Sequence, residues 1–379
     1  MSNKKNYLII FLIVATELIG FGLIIPILPQ ISQQYTQSGL LLGILISSFS
    51  FTQFFAAPIL GKLSDQYGRK PILILSKFGT AISYLILAHS GSYWMLLISR
   101  CLDGFTGGNI AVARAYLSDI TPAKNRSKAM AIIGIAFGTG FIFGPAIGGI
   151  CYAISNNFSI AGWVGFLLST LSMIITMSFL KEPEHKQSVQ KTSTLQQLKK
   201  LSPYTHYLLV FTFIGMFVFS GFESSFSVFT EFKFGLTPQE NSHLFLIIGI
   251  IAFFIQGSFT RISIKPFKKA ILIALGCISV GLVLPIFSNH ILISLAPLCL
   301  LIFGIAILNT HIPAELSQHE SKGFILGIYE SINSMARILG PLLIFSILYS
   351  KISILYLVLG GIAGLTFIIT LIRFNSLKL

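Results

Sequence analysis

Twelve long apolar runs constrain the fold of this chain more than any other feature. They cover residues 7–29, 40–60, 71–90, 93–117, 128–153, 161–180, 204–230, 243–260, 269–288, 291–311, 323–349 and 353–373. A membrane-crossing α-helix needs roughly 20 apolar residues, whereas a barrel strand alternates in polarity over about ten. The runs are long and do not alternate. We therefore predict an all-α membrane protein with twelve transmembrane helices, here called spans 1 to 12.

The scarcity of charge excludes a soluble fold for these runs. Only 10% of the 379 residues are charged and the mean hydropathy is +0.83, whereas a soluble protein is roughly 25% charged. We therefore expect no enzyme. Because no G-x-x-x-x-G-K-[ST] loop occurs, we expect no use of ATP either. The four cysteines lie in apolar runs without CxxC spacing, so no metal site or cofactor is predicted.

The distribution of basic residues predicts the orientation of the spans. Lys and Arg number 26 against 12 Asp and Glu, a net charge of +14. Twenty of the 26 fall in the segments on one side of the twelve spans, and only two, Lys233 and Lys351, fall on the other side. Cytoplasmic loops carry such an excess. Both termini are therefore expected in the cytoplasm, and no nucleic-acid partner is needed to explain the charge.

A polar stretch at mid-chain, residues 181–203, divides the spans into two sets of six. Two dipeptides recur on either side of it: Gly20-Phe21 as Gly221-Phe222, and Gly144-Pro145 as Gly340-Pro341. We predict an N-terminal six-helix bundle over 1–180, a cytoplasmic loop over 181–203 and a C-terminal six-helix bundle over 204–379. Two similar membrane halves around a central site are typical of transporters.

The loop between spans 2 and 3 carries the most specific motif. It reads Gly61-Lys62-Leu63-Ser64-Asp65-Gln66-Tyr67-Gly68-Arg69-Lys70-Pro71. Its glycines permit close approach, and Asp65 can face a helix N-terminus or an arginine and so latch this side of the membrane. The segment resembles the G-x-L-a-D-r-x-G-r-[KR] signature of the major facilitator superfamily. The predicted cytoplasmic gate, in which residues of span 4 could join this charge network, comprises Gly61, Asp65, Gly68, Arg69, Lys70, Arg114 and Asp119.

Further motifs follow in the order that this family shows. Span 4 has the spacing R-x-x-x-G-x-x-x-G at Arg100, Gly104 and Gly108. Span 5 has Gly140-Phe141-Ile142-Phe143-Gly144-Pro145-Ala146-Ile147-Gly148-Gly149, similar to the G-x-x-x-G-P-x-x-G-G motif of proton-driven exporters. Span 1 looks like the drug:proton antiporter branch, and residues 114–122 look like its tetracycline exporters. The resemblance implies two pseudo-symmetric six-helix bundles. In the second half it rests on layout, because the loop 261–269 lacks the Asp and Gly of the first-half signature.

The span-5 motif also has a physical meaning of its own. Gly140, Gly144 and Gly148 recur every four residues and leave one smooth face that a neighbouring helix can approach. Pro145, together with the glycines around it such as Gly149, weakens the backbone ladder and allows a bend. Two interpretations stay open: a bend that helps one side of the protein to open and close, and a surface used only for packing.

Four carboxylates are predicted at membrane depth: Glu17, Asp103, Glu223 and Glu330. Each costs at least about 2.5–3.5 kcal/mol in hydrocarbon, so each needs a partner, a cavity or a function. Glu17 has no basic residue in its own helix. Asp103 follows Arg100 by three residues on the same helix face. This pair either neutralises itself or, as the resemblance implies for the span-4 arginine, takes part in proton coupling.

The remaining polar residues of the spans complete the predicted site. Glu330 and Arg337 lie seven residues apart, too far for a bridge along one helix, so each is expected to pair across helices. Proton coupling is assigned to Glu17, Arg100, Asp103, Glu223 and Glu330. The candidate substrate cavity comprises Gln53, Asn109, Gln256, Asn309 and Arg337. Hydrogen bonding between helices is an equally open interpretation of the amide residues.

The sequence therefore predicts a secondary active transporter that works by alternating access. The resemblance implies export of a small amphipathic compound, such as a drug, in exchange for protons across the bacterial cytoplasmic membrane. The expected partners are the substrate, protons and the lipid bilayer, and the protein is expected to be monomeric. The alternatives are export of an endogenous metabolite such as a siderophore, proton-coupled uptake, and a receptor or scaffold that has lost transport.

Overall fold

The computed structural model of the protein describes residues 2–24, 39–155, 157–183, 201–236, 238–259, 261–262, 264–287, 289–318, 322–347 and 352–372. Within these ranges the backbone is almost entirely helical. The end of predicted span 1, residues 25–29, and most of the predicted central loop, residues 184–200, lie outside the described residues.

In the part of the chain that the structure describes, twelve long helices, two of them in two segments, form two six-helix bundles, as predicted. The first bundle contains α1 Ser2–Ile24, α2 Gly39–Tyr67, α3 Arg69–Ala88, α4 in two segments Tyr93–Thr106 and Asn109–Ile120, α5 Arg126–Ser155 and α6 Ser159–Phe179. The second contains α7 Pro203–Phe234, α8 Pro238–Phe259, α9 Phe267–Val283, α10 in two segments Ile291–Leu295 and Leu298–Leu316, α11 Lys322–Ile347 and α12 Ile352–Ile372. We call the end of the molecule where α1 begins and α2 ends the basic end.

Polar residues and helix breaks explain why some of these helices are less apolar, or shorter, than a typical membrane span. Eight segments of the described chain are long and apolar enough to cross a membrane by length and composition alone. In α4, the glycines at 107 and 108 divide the helix. In α11, Glu330, Asn333 and Arg337 interrupt the apolar sequence. Helices that depart from the hydrophobic pattern are where a membrane protein places its polar site.

The glycine face of α5 packs directly against α1. A Cβ atom added at Gly144 would lie 2.8 Å from the backbone of Gly22, and one added at Gly140 would lie 2.6 Å from Leu18. Gly148 approaches the backbone of Leu23 in the same way. The predicted close approach of a neighbouring helix is therefore confirmed. Gly149 is different, because no atom of the described residues lies within 4 Å of the position that its Cβ would occupy.

A pair of matched substitutions tests this packing. Gly144→Val forces α1 and α5 apart and should lower the free energy of unfolding by about 1–3 kcal/mol, the usual effect of overpacking. Gly149→Val lies in the same motif but meets open space, so its unfolding midpoint should stay close to that of the wild type. Thermal unfolding of the detergent-solubilised protein measures both. Equal destabilisation by the two variants would contradict the packing described here.

The two bundles meet along α2 with α11 and along α5 with α8. Glycines make the contact between α2 and α11 possible. The backbone of Gly323 occupies the place where a Cβ on Gly61 would lie, and the backbone of Ala57 and Pro58 occupies the place where a Cβ on Gly327 would lie. Gly61 therefore acts as a contact point between the halves. The α5–α8 contact includes Gly134, whose open face is covered by the side-chain amide of Gln256.

Candidate functional site

A chain of ion pairs lies at the basic end, where α2, α3, α4 and α11 meet. The Arg69 guanidinium contacts Asp65 at 2.7 Å and Asp119 at 2.9 Å. Asp119 in turn accepts a bond from the ammonium group of Lys322 at 2.9 Å. Lys322 belongs to α11, so the chain joins the N-terminal bundle to the C-terminal bundle. We call these four residues the latch.

Asp65 also caps α11 directly. Its two carboxylate oxygens accept hydrogen bonds from the backbone N–H groups of Gly323 and Phe324, each at 3.0 Å. Free N–H groups and the positive end of the helix dipole make a helix N-terminus a favourable place for a carboxylate. Asp65 thus faces an arginine and a helix N-terminus at once, the two possibilities that its loop suggested.

Gly68 and Lys70 hold the turn that places Arg69. Gly68 has φ +100°, a conformation that disfavours residues with a side chain. Beyond it, Glu182 accepts hydrogen bonds from the backbone N–H groups of Arg69 at 2.6 Å and of Lys70 at 2.8 Å. Sequence reasoning missed both Glu182 and Lys322 as members of this region. Their partners lie more than 100 positions away along the chain.

Asp65→Asn should loosen the latch. The variant loses the charge that faces Arg69 and the N-terminus of α11, which are together worth about 2 kcal/mol. We expect spin labels on the exposed positions Lys124 and Lys269, in a cysteine-free background, to show a new, longer distance in D65N. The bond from Arg126 to the carbonyl of Ser317 at 3.0 Å persists, so opening should be partial.

The control for this variant is Glu182→Gln. Glu182 bonds only within the N-terminal bundle among the described residues, so E182Q should leave the distance between the two labels unchanged. An unchanged distance in D65N, or equal opening in both variants, would show that Asp65 does not hold the halves together.

Glu17 in α1 is paired deep inside the N-terminal bundle. Its carboxylate contacts the ammonium group of Lys77 in α3 at 2.6 Å and accepts a bond from the amide of Asn109 at 3.1 Å. Lys77 is fully buried and also contacts Thr16 at 3.3 Å. The sequence identified no partner for Glu17, because Lys77 lies on another helix. Asn109 serves this pair rather than the wall of the central cavity.

Arg100 and Asp103 form the second buried pair. Their side chains meet at 2.7 Å along α4, as their spacing indicated. The Arg100 guanidinium also lies 4.9 Å from the ring centroid of Phe49 in α2, a cation–π contact that favours a desolvated arginine. The pair lies one turn before the break in α4, and the carbonyl of Asp103 accepts the N–H of Gly107 at 2.7 Å.

A cavity lies between the bundles. Its walls are mostly apolar, with aromatic side chains from α5 and α7, and α4, α8, α10 and α11 complete it. The polar groups on its wall are Arg114, Glu223, Gln256, Asn309, Glu330, Asn333 and Arg337. Three of the five residues proposed from sequence for a substrate cavity, namely Gln256, Asn309 and Arg337, border this space.

Arg114 contacts Glu330 across the two halves, at 2.7 Å. Its guanidinium also lies 5.0 Å from the ring centroid of Tyr329 and 3.4 Å from the carbonyl of Asn309. The expectation that Arg114 joins Asp65 and Arg69 is therefore wrong. Five residues separate Arg114 from Asp119, so their side chains leave the helix about 140° apart, with Arg114 in the cavity and Asp119 at the latch.

Arg337 reaches from α11 to the N-terminal bundle. Its guanidinium donates to the side-chain oxygen of Gln53 at 2.6 Å, and Gln53 donates to the carbonyl of Gly107 at 2.9 Å. Ser334 also donates to Gln53, at 3.0 Å. Gln53 thus links the halves behind the cavity, at the break in α4, and acts as an interhelical hydrogen-bonding group. Glu330 and Arg337 each pair across helices, as their spacing predicted.

Glu223 and Gln256 border the same cavity but have few partners. Among the described residues, Glu223 makes no hydrogen bond and no ion pair. The positive charge of Arg337, which lies on the same cavity wall, favours the ionised form of its carboxyl group. Gln256 is 6% exposed, and its side-chain oxygen has no hydrogen-bond partner among the described residues. Buried polar groups are nearly always satisfied, so these two groups are available to a proton or to a bound molecule.

Two six-helix bundles around a cavity with buried charges define a membrane transporter. The sequence matches the family model of the Major Facilitator Superfamily over residues 10–341, and the chain belongs to that family. Its members are transporters that sit in the membrane and bind small molecules. The resemblance drawn from the motifs is confirmed.

Similar proteins agree with this assignment. The chain is 29% identical over 366 residues to the class H tetracycline resistance protein of Pasteurella multocida, covering 92% of this chain and 90% of that protein. It is 30% identical over 353 residues to multidrug resistance protein 2 of Bacillus subtilis, covering 90% and 88%. The crystal structure of the human organic anion transporter MFSD10 has the same fold, with a TM-score of 0.87, 24% identity and coverage of 97% and 99%.

Proposed function

We propose that this protein exports small amphipathic compounds in exchange for protons, across the bacterial cytoplasmic membrane and with both termini in the cytoplasm. Glu223 carries the proposal: it is a carboxyl group with no bonding partner among the described residues, on the wall of the cavity between the halves. An apolar environment favours the neutral form of a carboxyl group, and an ionised form gains from a nearby cation. In the proposal, a substrate that donates a hydrogen bond to the ionised carboxylate competes with a proton for this position.

The other buried carboxylates have different parts in the proposal. Glu330 is held by Arg114 across the halves, so its bridge responds when the halves separate. Glu17 and Asp103 are held by Lys77 and Arg100 within one half, beside the break in α4. In the proposal, protonation of the cavity changes the geometry of these two ion pairs. The latch closes and opens the basic end during alternating access.

Everted membrane vesicles test the proposal. An imposed pH gradient, acidic inside, is followed with a pH-sensitive dye while candidate compounds are added. Export by antiport predicts that a transported compound releases part of the gradient, and that vesicles without the protein show no such release. A compound that moves with protons into the cell, so that deletion of the protein lowers its accumulation, would identify uptake instead.

Export of an endogenous metabolite is the alternative cargo within the same mechanism. The tetracycline and multidrug resistance relatives favour drugs as substrates. Release of the pH gradient by one cellular metabolite and by none of several unrelated drugs would favour the metabolite.

A further inference from the structure

The ionisable groups at membrane depth balance in charge. The sequence places eight of them in the membrane interior: four acidic, Glu17, Asp103, Glu223 and Glu330, and four basic, Lys77, Arg100, Arg114 and Arg337. Three acidic groups are already matched in direct ion pairs, Glu17 with Lys77, Asp103 with Arg100 and Glu330 with Arg114. The fourth of each sign, Glu223 and Arg337, remain without an ion pair among the described residues.

Glu223 and Arg337 share one cavity. Both lie on its wall, Glu223 on α7 and Arg337 on α11. Arg337 bonds to the neutral side chains of Gln53 and Ser334, so its charge is not neutralised by them. The cavity wall therefore has a net charge of zero when Glu223 is ionised, and of plus one when Glu223 is protonated. In neither state does it hold an excess negative charge for a cationic ligand.

Provided that the protein exports small molecules as proposed above, we infer that its substrates are amphiphiles with no net charge, neutral or zwitterionic, and that lipophilic cations are poor ligands. A monocation in this cavity leaves one positive charge uncompensated in a region of low dielectric, where an unpaired charge is strongly unfavourable. A neutral or zwitterionic molecule keeps the balance. Among transporters with a largely apolar cavity, this one selects by charge as well as by apolar area.

Two unpartnered polar groups specify where such a substrate is held. The Nε–H of Arg337 and the side-chain oxygen of Gln256 are both buried without a hydrogen-bond partner among the described residues. A donor such as Nε–H requires an acceptor on the ligand. The Gln256 amide, whose oxygen and nitrogen can exchange places, accepts or donates. A ligand with a carbonyl, carboxylate or hydroxyl group at its polar end satisfies both, while its rings lie against Phe137, Phe219 and Phe222.

A matched pair of dyes tests the inference. Rhodamine B is a zwitterion when its carboxyl group is ionised, and its ethyl ester is a permanent cation of nearly the same shape. Binding of each to the purified full-length protein in detergent is followed by fluorescence anisotropy. We expect rhodamine B to bind at least about tenfold more tightly than the ester. Equal or tighter binding of the ester, or no binding of rhodamine B, overturns the inference.

Charge variants of the cavity separate this selection from shape. Arg337→Gln makes the cavity negative when Glu223 is ionised, and we expect the preference to reverse toward the ester. The double variant Glu223→Gln with Arg337→Gln is neutral again, and we expect it to prefer rhodamine B as the wild type does. An unchanged preference in R337Q contradicts the charge argument, and the comparison of the two dyes on the wild-type protein tests that argument without either variant.

The outcome is distinguishable from that of the proposed function. Binding in detergent involves no gradient, so selection by charge can hold in a protein that moves no protons, and the export proposal then fails alone. Proton exchange that is driven best by the cationic ester, measured in vesicles, leaves the export proposal standing and removes the inference about substrates.

Discussion

Lys77→Met should strongly destabilise the N-terminal bundle. The variant leaves the Glu17 carboxylate, 4% exposed, without the ammonium group that contacts it at 2.6 Å. Removing one partner of a buried ion pair typically costs about 3–5 kcal/mol. The free energy of unfolding, measured by SDS titration in mixed micelles with Trp94 and Trp163 as fluorescent reporters, should fall by this amount.

The double variant Glu17→Gln with Lys77→Met is the control. Both side chains keep their approximate size and neither is charged, so stability should return to within about 1 kcal/mol of the wild type. If K77M is as stable as the wild type, the ion pair does not contribute to the free energy of unfolding. If the double variant is no more stable than K77M, lost packing rather than lost charge explains the effect.

Glu223→Gln should abolish proton-driven accumulation while leaving downhill movement intact. A glutamine fills the same space but cannot exchange a proton, so transport loses its energy source and not its pathway. For one proton per substrate, 100 mV of proton-motive force supports roughly a fiftyfold concentration ratio. In everted vesicles we expect this ratio to fall to about one in E223Q, with the rate of downhill dye movement preserved.

Glu231→Gln is the matched control for E223Q. Glu231 lies on the same helix, two turns further on and exposed, and its loss should leave accumulation unchanged. Accumulation by E223Q at the wild-type ratio would remove Glu223 from the coupling mechanism. The same assay applied to E17Q/K77M and to Asp103→Asn then tests whether the paired carboxylates carry the proton instead.

The pairing of Glu17 marks where sequence reasoning reaches its limit. Glu17 and Lys77 both lie in the half of their predicted spans nearer the basic end, so a pair was possible. The sequence does not say which of twelve helices are neighbours, however, and the contact joins residues 60 positions apart. For the same reason the sequence did not predict that Lys322 and Glu182 contact the residues around the latch. Partners across helices depend on packing, which no local pattern records.

Arg114 shows a second kind of limit. It lies near the cytoplasmic end of predicted span 4 beside Asp119, and proximity in sequence favoured a shared network. Helical geometry decides otherwise, because a shift of five residues leaves the two side chains about 140° apart around the helix axis. Arg114 meets Glu330 in the cavity, while Asp119 meets Arg69 and Lys322 at the latch.

Local patterns did predict the features that local physics controls. Apolar run length predicted the twelve helices. The glycine repeat of span 5 predicted a close helix contact, because a helix face without side chains lets a neighbouring backbone approach. The position of Asp65 beside a basic pair and a tight turn predicted a carboxylate that meets an arginine or a helix N-terminus, and the structure shows both contacts. The first two of these outcomes depend on spacing along one segment, whereas the helix N-terminus that Asp65 caps belongs to α11, 258 positions away.

The central claim is that a substrate displaces a proton from Glu223, and proton release on binding tests it most directly. The purified protein is placed in weakly buffered solution, a compound that releases the pH gradient in vesicles is added, and the pH change is recorded. We predict proton release by the wild type and by E231Q, and none by E223Q at equal substrate occupancy. Release by E223Q equal to that of the wild type would contradict the account.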